Sequence, residues 1–151
     1  MKHKGIRIAL IVIEALIGLG AIGGGIALQS GAFAQWLPVS FRQGTPFSDY
    51  MIPGLVLIIV VGGGMLLAAA AQFIRSEWAV LLSLVMGLIM IGWEIVEIVI
   101  IDRNEQAVVP SAVVQQVLFS VLGLVIVGLT IFLWMTEYRS QHVQGEHISH
   151  A

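Results

Sequence analysis

Four long runs of apolar residues, separated by polar segments, dominate the chain. They cover approximately residues 8–28, 54–74, 78–101 and 111–134. A helix of about 20 apolar residues is long enough to cross the roughly 30 Å hydrocarbon core of a bilayer. The pattern therefore predicts an all-α integral membrane protein whose four transmembrane helices form an up-down bundle.

The polar segments indicate how these helices are connected. Residues 29–53 form the longest link, predicted as an external loop, whereas the second and third runs are joined by a very short link. Residues 136–151 are predicted to be a flexible cytoplasmic tail, which leaves residues 1–135 as a single membrane domain. Ala32-Phe33-Ala34 also resembles a signal-peptide cleavage site, but the preceding run exceeds the roughly 7 to 15 residues of a secretory hydrophobic region.

The positions of lysine and arginine predict the orientation in the membrane. With the N-terminus inside, only Arg42 and Arg103 are external, and the other five basic residues are cytoplasmic: Lys2, Lys4, Arg7, Arg75 and Arg139. Cytoplasmic segments of membrane proteins carry the excess of positive charge. Both termini are therefore predicted to be cytoplasmic.

Composition supports this class of protein and argues against others. Hydrophobic residues make up 58% of the 151 residues and charged residues 11%, with a mean hydropathy of +0.99, whereas a soluble domain has roughly 25% charged residues. The net charge of -2, without a basic cluster, argues against nucleic-acid binding. The chain contains no cysteine, and no nucleophile or metal-ligand grouping is recognisable. We therefore expect no enzymatic activity, cofactor or metal site.

Two carboxylates interrupt the third apolar run. Glu94 and Glu97 are three residues apart and share one face of a helix. At about 1.5 Å per residue, Glu97 lies about 7 Å and Glu94 about 12 Å inside the outer boundary of the membrane. On the fourth run, Gln115 and Gln116 fall near the level of Glu97, and Ser120 falls near that of Glu94. The sequence thus predicts an outward-facing polar layer within the bundle.

This layer is open to two interpretations. Ionisable residues inside a membrane commonly belong to functional sites, so the layer is a candidate site for an ion, a proton or a polar ligand. Arg42, Asp49 and Tyr50 of the external loop are candidate contacts, although Asp49 could instead serve a local turn. Unless an arginine or a bound cation compensates, at least one of Glu94 and Glu97 is expected to be protonated. Alternatively, these side chains hydrogen-bond across helices and hold the bundle or an oligomer together.

A second, inner polar layer is predicted from the same counting. Glu14 lies about 10 Å inside the inner boundary, and Ser83 and Thr130 lie at similar depth. Here the packing interpretation is favoured. The Gly20-x-x-x-Gly24 spacing on the first run predicts close packing against another helix. The tail histidines, His142, His147 and His150, suit a solvated tail better than a metal site.

Part of the chain resembles a known group of proteins. The segment Gly44-Thr45-Pro46-Phe47-Ser48-Asp49-Tyr50-Met51-Ile52-Pro53-Gly54-Leu55 is similar to a pattern in small, uncharacterised bacterial membrane proteins with four helices. The similarity extends loosely to Arg75-x-x-Trp78 and to the region of Trp93, Glu94 and Glu97. The resemblance implies a bacterial inner-membrane protein, and it implies no activity, substrate or catalytic residue.

The sequence therefore leads to two functional hypotheses. The first is a small non-enzymatic inner-membrane protein that binds or passes a small ion, a proton or a polar ligand at the outer polar layer. The second is an accessory or structural subunit in which the polar residues serve helix packing. In either case the lipid bilayer is one partner, and four helices enclose so little space that a homo-oligomer or a larger membrane complex is expected.

Overall fold

Four long helices make up most of the described chain. The computed structural model describes residues 3–35, 44–101 and 110–139; Arg42, Arg103 and the tail histidines lie outside these ranges. Helix α1 is Lys4–Gln29, α2 is Met51–Ile74, α3 is Glu77–Val96 and α4 is Pro110–Glu137. No strand occurs in these ranges, which confirms the predicted all-α class.

All four helices have the length and composition of membrane spans. The candidate spans are Lys4–Gln29, Met51–Ile74, Glu77–Val99 and Val113–Glu137. Only 22% to 39% of the most apolar stretch of each helix is buried inside the protein, and large apolar side chains such as Leu19, Leu67 and Leu124 are exposed. A helix with an apolar outer face suits lipid rather than water. These features suggest a multi-pass membrane protein.

The bundle is built from two tightly packed helix pairs. Helix α1 packs along α2 and α3 packs along α4, while contacts of α2 with α3 and of α1 with α4 join the pairs. The shared core contains Leu10, Met65, Met86, Met90 and Ile126. Each helix therefore packs mainly on the helices next to it in the chain, with α4 returning to α1.

Glycines make the α1–α2 contact close. A methyl group placed on Gly18 would lie 3.0 Å from the Gly62 carbonyl oxygen, and one placed on Gly25 would lie 2.6 Å from that of Gly54. Each approach is reciprocal, because a methyl group on Gly62 or Gly54 would in turn meet the carbonyl oxygen of its partner at 3.1 or 3.0 Å. Gly18 precedes Gly25 while their partners follow the opposite order, so α1 and α2 are antiparallel.

The predicted contact through Gly20-x-x-x-Gly24 is wrong. A methyl group on Gly20 would meet nothing within 4 Å, and one on Gly24 would make only an ordinary contact with Leu57. Gly18 and Gly25 are seven residues apart, about two helical turns, and therefore share the face that α2 covers. On the other pair, Gly87 and Gly123 oppose each other in the same reciprocal way.

Helix α2 is irregular along its length. It runs as an α-helix over Met51–Val56, a π-helix over Leu57–Gly63, an α-helix over Gly64–Ala71 and a 3₁₀ turn over Gln72–Ile74. Arg75 then adopts a left-handed conformation with φ of 55°. Ser76 caps α3 by accepting a hydrogen bond from the Ala79 amide at 3.2 Å. Two residues thus reverse the chain between α2 and α3.

Candidate functional site

A pocket lies at the predicted outer polar layer and is lined by all four helices. Its volume is about 60 Å³. Glu94, Glu97 and Gln115 line it together, so the structure brings three of the five predicted residues to one place. Gln116 and Ser120 are not among its lining residues. The others are Ile17, Gly20, Ala21, Gly24, Leu57, Val61, Met90, Trp93 and Phe119, and we call this site the outer pocket.

Small residues on α1 create the space. Gly20, Ala21 and Gly24 line the pocket on that side, and nothing lies within 4 Å of the position that a methyl group on Gly20 would occupy. The glycines predicted to bring helices together therefore leave a void opposite the carboxylates instead. Any larger side chain at Gly20 would project into unoccupied space.

The two carboxylates differ in burial and in local helix type. Glu94 points into the bundle and is 3% exposed, whereas Glu97 is half-buried and begins a π-helical turn, Glu97–Ile101. Single π-helical turns are uncommon and frequently occur at functional sites. The change of helix type thus falls at the carboxylate nearer the predicted outer boundary.

The charge balance of the outer pocket is one-sided. Glu94 and Glu97 are close enough to repel each other when both are ionised. They are the only titratable side chains among the lining residues, which include no lysine, arginine or histidine. The Glu94 Oε2 atom is buried and has no hydrogen-bond partner. An unpaired buried carboxylate raises the free energy of the folded protein. A bound proton or cation would neutralise this charge.

The size of the pocket limits what can bind there. One water molecule needs roughly 10 to 15 Å³ of cavity volume, so a pocket of about 60 Å³ has room for about four or five waters. A proton, or a small cation that keeps part of its water shell, fits this volume. Trp93 and Phe119 supply aromatic surface, which attracts cations through the negative face of the ring.

The external-loop candidates lie at a different place. Asp49 and Tyr50 line a separate pocket of about 270 Å³, together with residues that include Gln29 and Phe33. Asp49 Oδ1 accepts a hydrogen bond of 2.9 Å from the Met51 amide at the start of α2, so it serves the local turn. Neither residue lines the outer pocket, and Arg42 lies outside the described residues.

The inner polar layer is fully buried but only partly connected. Glu14 and Ser83 are 0% exposed and Thr130 is 1% exposed. Thr130 Oγ1 donates to the Ile126 carbonyl oxygen of its own helix at 2.6 Å. Ser83 interacts with the Glu14 carboxyl, yet no hydrogen bond of good geometry reaches either Glu14 oxygen. Ser83 and Glu14 therefore lie together, whereas the Thr130 hydroxyl bonds a carbonyl oxygen of its own helix.

Four further polar residues join the helices at this end of the bundle. Arg7 Nη1 donates to Gln72 Oε1 at 3.0 Å, while Nη2 donates to Glu137 Oε2 at 2.6 Å and to the Tyr138 hydroxyl at 2.8 Å. Gln72 Nε2 donates to Ser83 Oγ at 2.7 Å, and the Tyr138 hydroxyl donates to the Arg75 carbonyl oxygen at 3.0 Å. We call Arg7, Gln72, Glu137 and Tyr138 the latch.

Hydropathy alone does not predict the latch. Arg7 was counted as a flanking charge, and Glu137 and Tyr138 fell within the predicted tail because the apolar run ends at Trp134. Helix α4 in fact continues to Glu137. The available signal was Gln72, a lone amide near the end of an apolar run, which needs a polar partner in lipid.

The described residues contain no group of three or more His, Cys, Asp or Glu side chains that could hold a metal ion. Comparison of the chain with protein-family models, with curated proteins and with solved structures finds no match.

Proposed function

We propose that this protein is a multi-pass protein of the bacterial inner membrane that binds a small cation or a proton in the outer pocket. The observation that carries the proposal is the buried Glu94 Oε2 without a hydrogen-bond partner, in a pocket that holds a second carboxyl and no basic side chain. Glu94 and Glu97 bind the positive charge, and the Gln115 side-chain oxygen is a further ligand.

The charge of the lining residues selects the class of ligand. Two carboxyls disfavour an anion, and the volume excludes a large organic molecule. A cation is attracted by both carboxylates. Carboxylate and amide oxygens replace the water molecules that it loses on binding. We expect the protein to act here as a binding or passage site, with Glu94 and Glu97 supplying oxygen ligands; the lining residues include no serine, threonine, histidine or lysine.

The orientation of the protein follows from its basic residues. The latch places Arg7 beside the C-terminal end of α4 and brings Tyr138 to the Arg75 carbonyl oxygen. Arg7, Arg75 and Arg139 are therefore at the same end of the bundle. With that end in the cytoplasm, as the positive-inside rule favours, both termini are inside and the outer pocket faces the external side.

The latch favours a second function, that of an accessory or structural subunit. Its hydrogen bonds show buried polar groups of this protein joining helices, which is the role that the packing hypothesis gives to every polar residue in the bundle. Under this hypothesis the exposed apolar faces contact a partner or a second copy of the chain, and the outer pocket binds no ligand.

Ligand-dependent stabilisation separates the two functions. A ligand that binds only the folded protein raises the melting temperature as its concentration exceeds the Kd. Tm is measured in detergent during additions of Na⁺, K⁺, Mg²⁺ or Ca²⁺ at constant ionic strength, and again as the pH is lowered. We expect at least one of these to raise the Tm of the wild type, and Glu94→Gln and Glu97→Gln to abolish most of the rise.

Glu77→Gln is the matched control, since it makes the same carboxyl-to-amide change at the far end of α3. Glu77 Oε1 accepts from Trp134 Nε1 at 3.1 Å, a bond that an amide oxygen can also accept. The control is expected to respond as the wild type does. Equal responses from wild type, Glu94→Gln and Glu97→Gln would contradict the binding proposal and favour the accessory subunit.

A further inference from the structure

Glu14 is a second buried acid that the outer pocket does not use. Its side chain is 0% exposed, and no hydrogen bond of good geometry reaches either oxygen. Within the described part of the chain, Glu14 forms no salt bridge. A leucine or methionine would fill the same place without the desolvation cost, so packing alone gives no reason for an acid here.

The surroundings of Glu14 suit a proton rather than a metal ion. Ser83 faces it from α3, and the Ser83 oxygen already accepts from Gln72 Nε2 at 2.7 Å, which leaves the Ser83 O–H to donate toward the Glu14 carboxyl. A hard cation takes about six or more oxygen ligands, far more than one carboxyl and one hydroxyl provide. A proton needs only the carboxyl itself.

The latch lies between Glu14 and the near end of the bundle. Arg7 precedes Glu14 by seven residues on α1, a rise of about 10 Å. The Gln72 side chain bonds both Arg7 and Ser83 and so connects the latch directly to the neighbour of Glu14. The Arg7–Glu137 ion pair lies on the exposed side of the latch, since the Glu137 side chain is 27% exposed.

The two buried acids lie at different depths. Eleven residues separate Ser83 from Glu94 on α3, a rise of about 16 Å. Apolar core residues, including Ile17, Met86 and Met90, lie between the two levels. The latch lies at the end of the bundle away from the outer pocket.

We propose that Glu14 is an inner proton-binding site and that the latch controls access to it. When the Arg7–Glu137 pair separates, the end of the bundle opens and Glu14 exchanges a proton with water on that side. The titratable groups of the latch are Arg7, Glu137 and Tyr138, while Gln72 and Ser83, which lie between them and Glu14, do not titrate. The inference rests on the proposed function, which it deepens from binding in the outer pocket to proton binding at a second, inner site.

Labelling with a hydrophobic carbodiimide tests this proposal on the full-length protein in lipid nanodiscs. The reagent adds to a carboxyl only when the acid is protonated and accessible, and mass spectrometry of peptides locates the adduct. In the wild type we expect adducts at Glu94 and few at Glu14. In Glu137→Ala we expect labelling of Glu14 to rise by about tenfold, the factor for loss of one charge-assisted hydrogen bond, and labelling of Glu94 to stay unchanged.

Thr136→Ala is the matched control on the same turn of α4. Thr136 Oγ1 bonds only carbonyl oxygens of its own helix, those of Phe132 and Leu133, so its loss leaves the latch intact and is expected to leave Glu14 unlabelled. If Glu137→Ala does not fold, Tyr138→Phe weakens the same latch, because it removes both the acceptor of Arg7 Nη2 and the donor to the Arg75 carbonyl oxygen.

Three results would overturn the proposal. They are equal labelling of Glu14 in wild type and latch variants, no labelling of Glu14 in any variant at any pH, and labelling that does not fall as the pH is raised to ionise the acid. The Tm response to cations reports on the outer pocket separately. A wild type without that response refutes the proposed function, whereas a normal response with an unlabelled Glu14 refutes only the inner site.

Discussion

Single side chains divide the polar residues of this bundle into satisfied and unsatisfied groups. Gln72 uses its side-chain oxygen and nitrogen in bonds to Arg7, Ser83 and the Ala79 carbonyl oxygen. Glu94 Oε2 and both Glu14 oxygens, in contrast, are buried without a hydrogen bond of good geometry. Polar groups that serve as packing contacts are expected to be bonded, so the packing interpretation explains the latch better than it explains the two acids.

Replacement by methionine separates these roles. Glu94→Met removes an unpartnered buried acid and is expected to leave stability unchanged or to raise it by about 1 kcal/mol, while it abolishes the stabilisation by cations. Unfolding in a denaturing detergent, followed by circular dichroism, measures the change. A loss of several kcal/mol would show that Glu94 is a packing residue.

Gln72→Met, a change to an apolar side chain of similar size, is expected to lower stability instead. It leaves the Arg7 Nη1 donor and the Ser83 hydroxyl without their partner, and it is expected to cost about 2 to 3 kcal/mol. The same unfolding measurement checks it. Similar stability of Gln72→Met and wild type would mean that the latch contributes little to holding the helices together.

At the scale of helices, glycine positions decide which faces meet. Gly18→Ala would place a methyl group 2.8 Å from Leu66 Cγ and 3.0 Å from the Gly62 carbonyl oxygen. Since backbone cannot yield as a side chain can, we expect a cost of about 1 to 3 kcal/mol. Gly23→Ala is the control, because nothing lies within 4 Å of its added methyl group, and it is expected to be neutral or slightly stabilising. Equal unfolding midpoints for the two variants would contradict the close α1–α2 contact.

Gly20 offers a way to fill the outer pocket without touching a carboxylate. Gly20→Leu adds a large side chain at a residue that lines the outer pocket. We therefore expect the apparent affinity for cations to fall by about tenfold, with little change in stability without cations. Gly23→Leu adds the same side chain to α1 at a residue that does not line the outer pocket, and it is expected to bind as the wild type does. Unchanged affinity in Gly20→Leu would place the ligand elsewhere.

For the molecule as a whole, hydropathy predicts the helices well, since each of the four apolar runs is long enough for one membrane-spanning helix. A backbone in a bilayer must satisfy its own hydrogen bonds, so each long apolar run becomes one helix. Counting residues along these helices also predicts Glu94, Glu97 and Gln115 in one polar layer, and they line one pocket. Gln116 and Ser120, predicted at the same levels, do not line it, since depth alone does not say which way a side chain points.

The faces of the helices and the ends of the bundle were harder to predict. Helices that are apolar on all sides carry no pattern to show which face meets a partner, so Gly18 and Gly25 could not be distinguished from Gly20 and Gly24. The end of α4 was also missed, because Glu137 is partnered by Arg7, 130 residues away in the chain. Such a pairing is a property of the folded bundle and not of any local stretch of sequence.

The central claim, that Glu94 binds a proton or a small cation in the outer pocket, is tested most directly by infrared difference spectroscopy of the carboxyl groups in lipid. Spectra are recorded as pH is changed or a cation is added, for wild type, Glu94→Gln and Glu77→Gln. We expect a change in a carboxyl band of the wild type that is absent in Glu94→Gln and retained in Glu77→Gln. A wild-type carboxyl spectrum that no ion and no pH alters, or one in which every altered band is also altered in Glu94→Gln, would rule out binding at Glu94.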